Sequence, residues 1–266
     1  MPSGRLSRAR LLLARSGGLA KRVSLLAGVS LCLAGCRLPS FGSFDAPTTQ
    51  GQKTYHLWQG FMVATLVVGV FVWALIFWAI FAYRKNKSGG DGLPKQTRYN
   101  MPWEVTYTIV PLLIVAGLFY FTVVAENQVT QVVANPQTRV TVTGFRWGWR
   151  FDYTDASGKV LTSVVPPTVG QGYPQMILPD HEVTRVTLVS RDVVHGFYIP
   201  AFDYSEYAQP GLLNKFDLTP TREGTFDGKC AQYCGLRHAQ MLFTVRIMSS
   251  SDFHTWLSSQ EAKVST

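Results

Sequence analysis

The sequence predicts a chain of two parts, a hairpin of two membrane-spanning helices followed by an all-β domain of short strands. Three observations predict it. Residues 61–83 and 105–125 are uncharged and apolar, and each is long enough to cross the roughly 30 Å hydrocarbon core of a bilayer. From about residue 127 the pattern changes to short alternating runs separated by proline and glycine. Ahead of both parts stands a basic, then apolar, amino terminus of the kind that directs export.

The 266-residue chain carries 25 Lys and Arg against 16 Asp and Glu, a formal charge of +9. Charge of that sign invites a nucleic-acid reading, but its placement argues against one. Residues 1–36 hold Arg5, Arg8, Arg10, Arg15, Lys21 and Arg22 and no acid. These precede the apolar residues 23–34, so residues 1–35 read as a secretory signal peptide. The stretch closes on Leu33-Ala-Gly-Cys36, which resembles a bacterial lipobox. Cleavage there makes Cys36 the lipidated first residue; an uncleaved membrane anchor is the alternative. Of the four cysteines, signal removal takes Cys32 and lipid takes Cys36. Cys230 and Cys234 remain, with no disulfide framework left over.

Residues 36–56, with Pro39, Gly42, Pro47 and Gly51, read as an extracytoplasmic linker. The hairpin then occupies 57–126, with helices at 57–83 and 105–125 and a loop at 84–100. Trp58 and Tyr83 flank the first span where aromatic belt residues belong. Pro111 lies inside the second, where membrane helices tolerate a kink. The loop holds Arg84, Lys85, Lys87, Lys95 and Arg98 against Asp91 alone. By the positive-inside rule it is cytoplasmic, and both ends of the mature chain lie outside. A buried soluble hairpin is the alternative, and two uncharged runs of this length argue against it.

The extracytoplasmic domain spans 127–266. Residues 139–143 and 183–189 alternate apolar with polar, as half-buried strands do. Asp155-Ala-Ser-Gly158 is a turn signal between extended runs. Several short strands with turns between them predict a β-sandwich or barrel.

Within that domain, Cys230-Ala-Gln-Tyr-Cys234-Gly-Leu-Arg-His238-Ala-Gln-Met241 gathers two thiols, an imidazole and a thioether. Soft sulfur ligands favour copper, which imidazole suits as well. Cys234, His238 and Met241 stand in the order of a mononuclear blue-copper loop. His195, in Ser190-Arg-Asp192-Val-Val-His195, is the obvious second imidazole. Cys230 exceeds what one copper needs; two thiolates could instead bridge two metals. Structural zinc has no use for Met241, and Cys-x3-Cys-x3-His is not a common finger spacing. A Cys230–Cys234 disulfide would close a very small loop and leave both histidines unexplained.

The pattern Cys-x-Gln-x-Cys-Gly-x-x-His-x-x-Met, with an upstream Asp-Val-x-His, resembles the copper-A loop of subunit II of heme-copper cytochrome c oxidases. The resemblance covers roughly residues 55–258. It implies a membrane-anchored α plus all-β chain whose outer domain is a Greek-key cupredoxin β-barrel. It also implies a dinuclear copper centre, two coppers per chain, held by His195, Cys230, Cys234, His238, Met241 and the backbone carbonyl of Gln232. Both thiolates would bridge, with one histidine on each copper. Gln232 stands where the family often has Glu, whose side chain reaches a magnesium or manganese ion shared with subunit I. A neutral amide is a weaker ligand for a hard cation, which weakens the expectation of that shared site. Asp192 matches the family's Asp, supporting His195 or docking a partner; a structural loop acid is the equal alternative.

Two further stretches carry the resemblance. Gly144-Phe-Arg-Trp147-Gly-Trp149-Arg-Phe151-Asp-Tyr153 is similar to a region whose first Trp receives electrons from cytochrome c, which assigns that role to Trp147. Arg146, Gly148 and Phe151 depart from the usual pattern, and core or interface aromatics are the plain alternative. Glu104-Val-Thr-Tyr107-Thr-Ile-Val-Pro111 is similar to a motif whose carboxylate marks the cytoplasmic mouth of a proton path, with Tyr107 in place of Trp. An acid favoured by the helix amino terminus explains Glu104 equally well.

The resemblance thus implies the electron-receiving subunit of a proton-pumping cytochrome c oxidase in a bacterial cell membrane. Copper would accept electrons from cytochrome c and pass them to heme in subunit I, where oxygen is reduced to water. The implied partners are oxidase subunits I and III, membrane lipid and cytochrome c, with a membrane-tethered cytochrome or one in a bc complex among the candidates. No nucleic acid is among them. A quinol oxidase subunit II would lack the copper ligands. A copper chaperone or blue-copper carrier would need one copper and no Trp147 region; a zinc-stabilised envelope lipoprotein is the third alternative. Residues 127–266 hold twelve basic and twelve acidic side chains. With no net acidic excess to steer a basic cytochrome, docking is expected to depend only weakly on salt.

Overall fold

The computed structural model describes residues 38–84, 96–165 and 172–264. The signal peptide at 1–35, Cys36 and most of the basic loop lie outside the described residues. Helix α1 is Thr49–Ala82 and helix α2 is Met101–Thr130. Both are long and apolar enough to cross a membrane. Over residues 61–82 and 105–125 each is apolar all round and exposes large side chains such as Phe71, Trp73, Phe81, Leu113 and Phe119. Helices of that kind need lipid or protein around them. Pro102 sits in the first turn of α2, where its missing N–H costs nothing. The helix continues through Pro111 and on to Thr130.

The linker expected at 36–56 is corrected by this structure. Residues 49–56 are helical, and the segment before them is bound to the β domain. Thr48 caps α1, its hydroxyl accepting from Gly51 N at 3.1 Å. Thr49 N donates to Thr219 O at 2.9 Å and Thr221 N to Pro47 O at 2.8 Å. The Gln50 side chain accepts from Thr219 N at 2.9 Å. Ala46 and Thr48 are buried, and a Cβ on Gly51 would stand 2.1 Å from the Phe202 carbonyl. Pro47 and Gly51, which look like linker residues, serve close packing instead.

Ten strands follow: β1 Thr138–Phe145, β2 Gly148–Thr154, β3 Val160–Val164, β4 Gln175–Pro179, β5 Thr184–Ser190, β6 His195–Ile199, β7 Tyr204–Ala208, β8 Asn214–Leu218, β9 Gly224–Cys230 and β10 Leu242–Met248. They form two five-stranded sheets, β3-β2-β1-β5-β8 and β4-β10-β9-β6-β7. The chain changes sheet after β3, β4, β5, β7 and β8, which makes the Greek-key cupredoxin architecture. The predicted alternation holds: Val140, Val142, Val186 and Leu188 point inward and are buried. Between the sheets Phe197 stacks on Phe243 at 4.8 Å, with Trp149 edge-on to both at 5.5 Å. Tyr153 OH donates to Ile177 O at 2.8 Å and accepts from Ile177 N at 2.6 Å, joining the sheets by a second route. Helix α3, Ser250–Val264, closes the far side by setting Phe253 and Trp256 against Tyr153.

Strand direction decides where the site falls. His195 opens β6, Cys230 closes β9 and Leu242 opens β10, and antiparallel pairing brings these three to one end. The turn after β1 comes to the same end, because Arg191 N donates to Gly144 O at 3.0 Å.

Candidate metal centre

The loop that carries the sulfur ligands is closed at its base by strand geometry. Cys230 N donates to Met241 O at 3.0 Å, and Ala231 N donates to Gly196 O at 2.9 Å. Gly196 is required there: a Cβ would stand 2.8 Å from Gln232 N and 3.0 Å from the Ala231 backbone. Gly235, at φ +120°, lets the loop reverse in a conformation that L side chains rarely adopt. A 3-10 turn, His238–Gln240, then returns the chain to β10.

This arrangement brings all the predicted donors into one compact cluster. His195 Nδ1 lies 4.0 Å from Cys230 Sγ, which lies 3.9 Å from Cys234 Sγ. Cys234 Sγ lies 3.6 Å from His238 Nδ1 and 3.8 Å from Met241 Sδ. On the opposite side, Cys230 Sγ lies 3.2 Å from the Gln232 carbonyl oxygen. The sulfur atoms are far beyond the ~2.05 Å of a disulfide, and both thiols are free. The donor atoms of His195, Cys230 and Cys234 lie within 4.8 Å of one another, close enough to hold a metal ion. Five side chains and a carbonyl exceed the four donors of a closed zinc site. Two sulfurs, each with an imidazole nitrogen within 4.0 Å, are donors of the kind that soft ions take.

The surroundings prepare the donors. Fully buried His195 turns Nε2 to Asp192 Oδ1 at 2.8 Å, which leaves Nδ1 facing Cys230. Asp192 is itself fixed, accepting from Val193 N at 2.7 Å and Arg146 N at 2.8 Å. Burial disfavours the Cys230 thiolate, but the hydrogen bond with His195, helped by backbone contacts to Gln232 and Gly196, outweighs it and brings the thiol down to about 6. Burial and then repulsion from Cys230 push the Cys234 thiol up to about 12. A proton on Cys234 or a cation between the two sulfurs relieves that repulsion. Burial likewise works against charge on His195, and Cys230 and Asp192 more than offset it, leaving its pKa raised.

Trp147 is half-buried beside this cluster. Its indole Nε1 donates to Cys234 O at 3.2 Å, and a Cβ on Gly235 would meet the ring at 3.2 Å. The indole therefore touches the loop backbone directly. Trp149, which the sequence placed in the same aromatic run, lies under the centre, packed on His195 at 6.0 Å. Glu104 is not in this cluster. It sits in the first turn of α2, where Oε1 accepts from Asn100 N at 2.9 Å. That contact is a helix cap, the plainer of the two expectations.

Sequence reasoning missed Gly144 and Gly196 as site residues. A Cβ on Gly144 would stand 3.0 Å from His195 Cδ2. The available signal was a glycine interrupting a strand, which often marks close backbone approach.

A family model described as "Cytochrome C oxidase subunit II, periplasmic domain" matches residues 138–248, a span that includes every donor above. A "Cytochrome c oxidase subunit 2" from Corynebacterium glutamicum is 30% identical, covering 91% of this chain and 86% of that protein. The chain belongs to the cytochrome c oxidase subunit II family. A "Probable cytochrome c oxidase subunit 2" from Streptomyces avermitilis is 36% identical over 88% of this chain and 84% of its own length. The crystal structure of the periplasmic domain of subunit II of cytochrome oxidase from Bradyrhizobium japonicum is 28% identical with a TM-score of 0.44, covering 50% of this chain and 99% of that one. As a family member the chain is a subunit of the oxidase complex.

Proposed function

We propose that this subunit receives electrons for the oxidase at a dinuclear copper centre held by His195, Cys230, Cys234, His238, Met241 and the Gln232 carbonyl. The observation that carries this is the cluster of donors, two unbonded thiols 3.9 Å apart with an imidazole next to each. Copper bound there supplies a one-electron acceptor and donor between cytochrome c and the heme of subunit I. The chain's own residues do the rest. Asp192 orients His195, the Trp149 and Phe197 rings exclude water beneath it, and the β6 and β9 backbones hold Cys230 in place. A scaffold fixed before the charge changes needs little rearrangement when it does.

Trp147 is the contact through which electrons arrive, because its indole is both part-exposed and hydrogen-bonded to the Cys234 carbonyl. Gln232 offers a neutral side chain, so a magnesium or manganese ion shared with subunit I is not held here as a carboxylate would hold it. The two apolar helices anchor the chain in the bacterial membrane with the copper domain outside, and a lipidated Cys36 adds a second anchor. Glu104, in the first turn of α2, caps that helix through Asn100 N.

Replacing Trp147 with Phe tests the assignment. Copper content should be unchanged, while the rate of reduction by cytochrome c falls by at least tenfold. Equal rates in the two proteins would remove Trp147 from the path.

A further inference from the structure

The loops around the candidate centre carry a net positive surface charge. They are 146–147, 191–194, 209–213 and 231–241, each joining two strands. Pairing gathers them at one end: His195 stands opposite Ala208, and Ser190 bridges to Pro210. These loops hold Arg146, Arg191 and Arg237, all exposed, against Asp192 alone. Asp192 is already engaged by His195 and Arg146. The other eleven carboxylates of residues 127–266 lie outside these loops. Arg191 and Arg237 make no ion pair among the described residues. Beside them the surface is apolar, with Tyr233 76% and Leu236 89% exposed.

We propose that this face docks an acidic cytochrome c, whose heme edge meets Tyr233 and Leu236, the residues flanking the Cys234-Gly235 backbone that Trp147 touches, while carboxylates around it pair with Arg191 and Arg237. The proposal rests on the electron-receiving role argued above and specifies the partner for it. Guanidinium groups pair carboxylates through two parallel hydrogen bonds, and a lysine-rich face would meet only repulsion here. An apolar centre with aromatic and arginine neighbours is also how interface cores are built. Each encounter moves one electron from ferrous heme to the oxidase, leaving ferric heme, with oxygen as the final oxidant. The balance of twelve basic and twelve acidic groups conceals this asymmetry. In place of the weak salt dependence expected from the charge total, this proposal predicts a strong one whose sign follows the charge of the donor.

The test uses the intact oxidase complex and two soluble donors, an acidic bacterial cytochrome c and a lysine-rich mitochondrial one. Stopped-flow reduction is followed as ionic strength rises. The rate constant for the acidic donor should fall with salt, and that for the lysine-rich donor should rise. Replacing Arg191 and Arg237 with Gln should slow the acidic donor about tenfold at low salt. Reversal of both to Glu should invert the preference, and turnover with a small-molecule reductant should stay unchanged in both variants. Faster delivery by the lysine-rich donor at low salt, or rates indifferent to salt for both donors, would overturn the proposal. If neither cytochrome reduces the complex while the small reductant does, the electron-receiving role itself fails.

Discussion

The two halves of the candidate centre are built differently. His195 and Cys230 belong to strands: one is fully buried and held by Asp192, the other is fixed by backbone hydrogen bonds to Met241 and through Ala231 to Gly196. Cys234 and His238 belong to a loop. His238 is only half-buried, and its neighbours are Cys234 and the exposed ring of Tyr233, 5.9 Å away. The strand half is therefore held by strand pairing and burial, whereas the loop half is held by a glycine turn and a 3-10 turn. The thiols follow the same division, Cys230 held well below its ordinary range and Cys234 well above it.

Four measurements sharpen or break that comparison. The largest effect is expected from Trp149→Ala, which empties the core beneath His195. Thermal or denaturant unfolding should show a loss of about 3–5 kcal/mol, and a loss under 1 kcal/mol would mean that burial does not hold the strand half. Next comes Asp192→Asn, which keeps the shape but weakens the hold on His195. Copper affinity, measured by competition with a chelator, should drop by roughly 10–100-fold. An unchanged affinity would show that backbone packing alone orients the ring.

The third measurement is a pH titration of thiolate ultraviolet absorbance in the metal-free chain. Because the Cys230 pKa lies below that of a free thiol, its thiolate should appear near pH 6 as pH rises. The second thiolate should appear only far above pH 9, because burial and the first thiolate oppose it. Two thiolates appearing together near pH 9 would erase the distinction. The smallest effect is expected from His238→Gln on the metal-free chain, within about 0.5 kcal/mol of the parent. The same variant should nonetheless lose copper affinity; a large loss of metal-free stability would make the loop half as structural as the strand half.

Much of this centre was readable in the sequence because its chemistry is local. Cys230 to Met241 is a contiguous stretch, and His195 stands beside an acid at a spacing that the fold preserves. Valine alternation at 139–143 marked β1 for the same reason. What was not readable depends on contacts distant in sequence. Nothing local shows that Thr48 caps a helix while its neighbours bond to residues 219–221, so Pro47 and Gly51 looked like a linker. Gly196 looks like any strand glycine until the backbone of residues 231–232 is laid against it. The arginine face was hidden by a balanced charge total, since Arg146, Arg191 and Arg237 meet only when three separate turns converge.

Metal stoichiometry with electron paramagnetic resonance on the copper-loaded full chain tests the central claim most directly. Two coppers per chain, with one unpaired electron shared equally between them, is the predicted result. A single copper with a localised electron, or zinc with no copper signal, would contradict it.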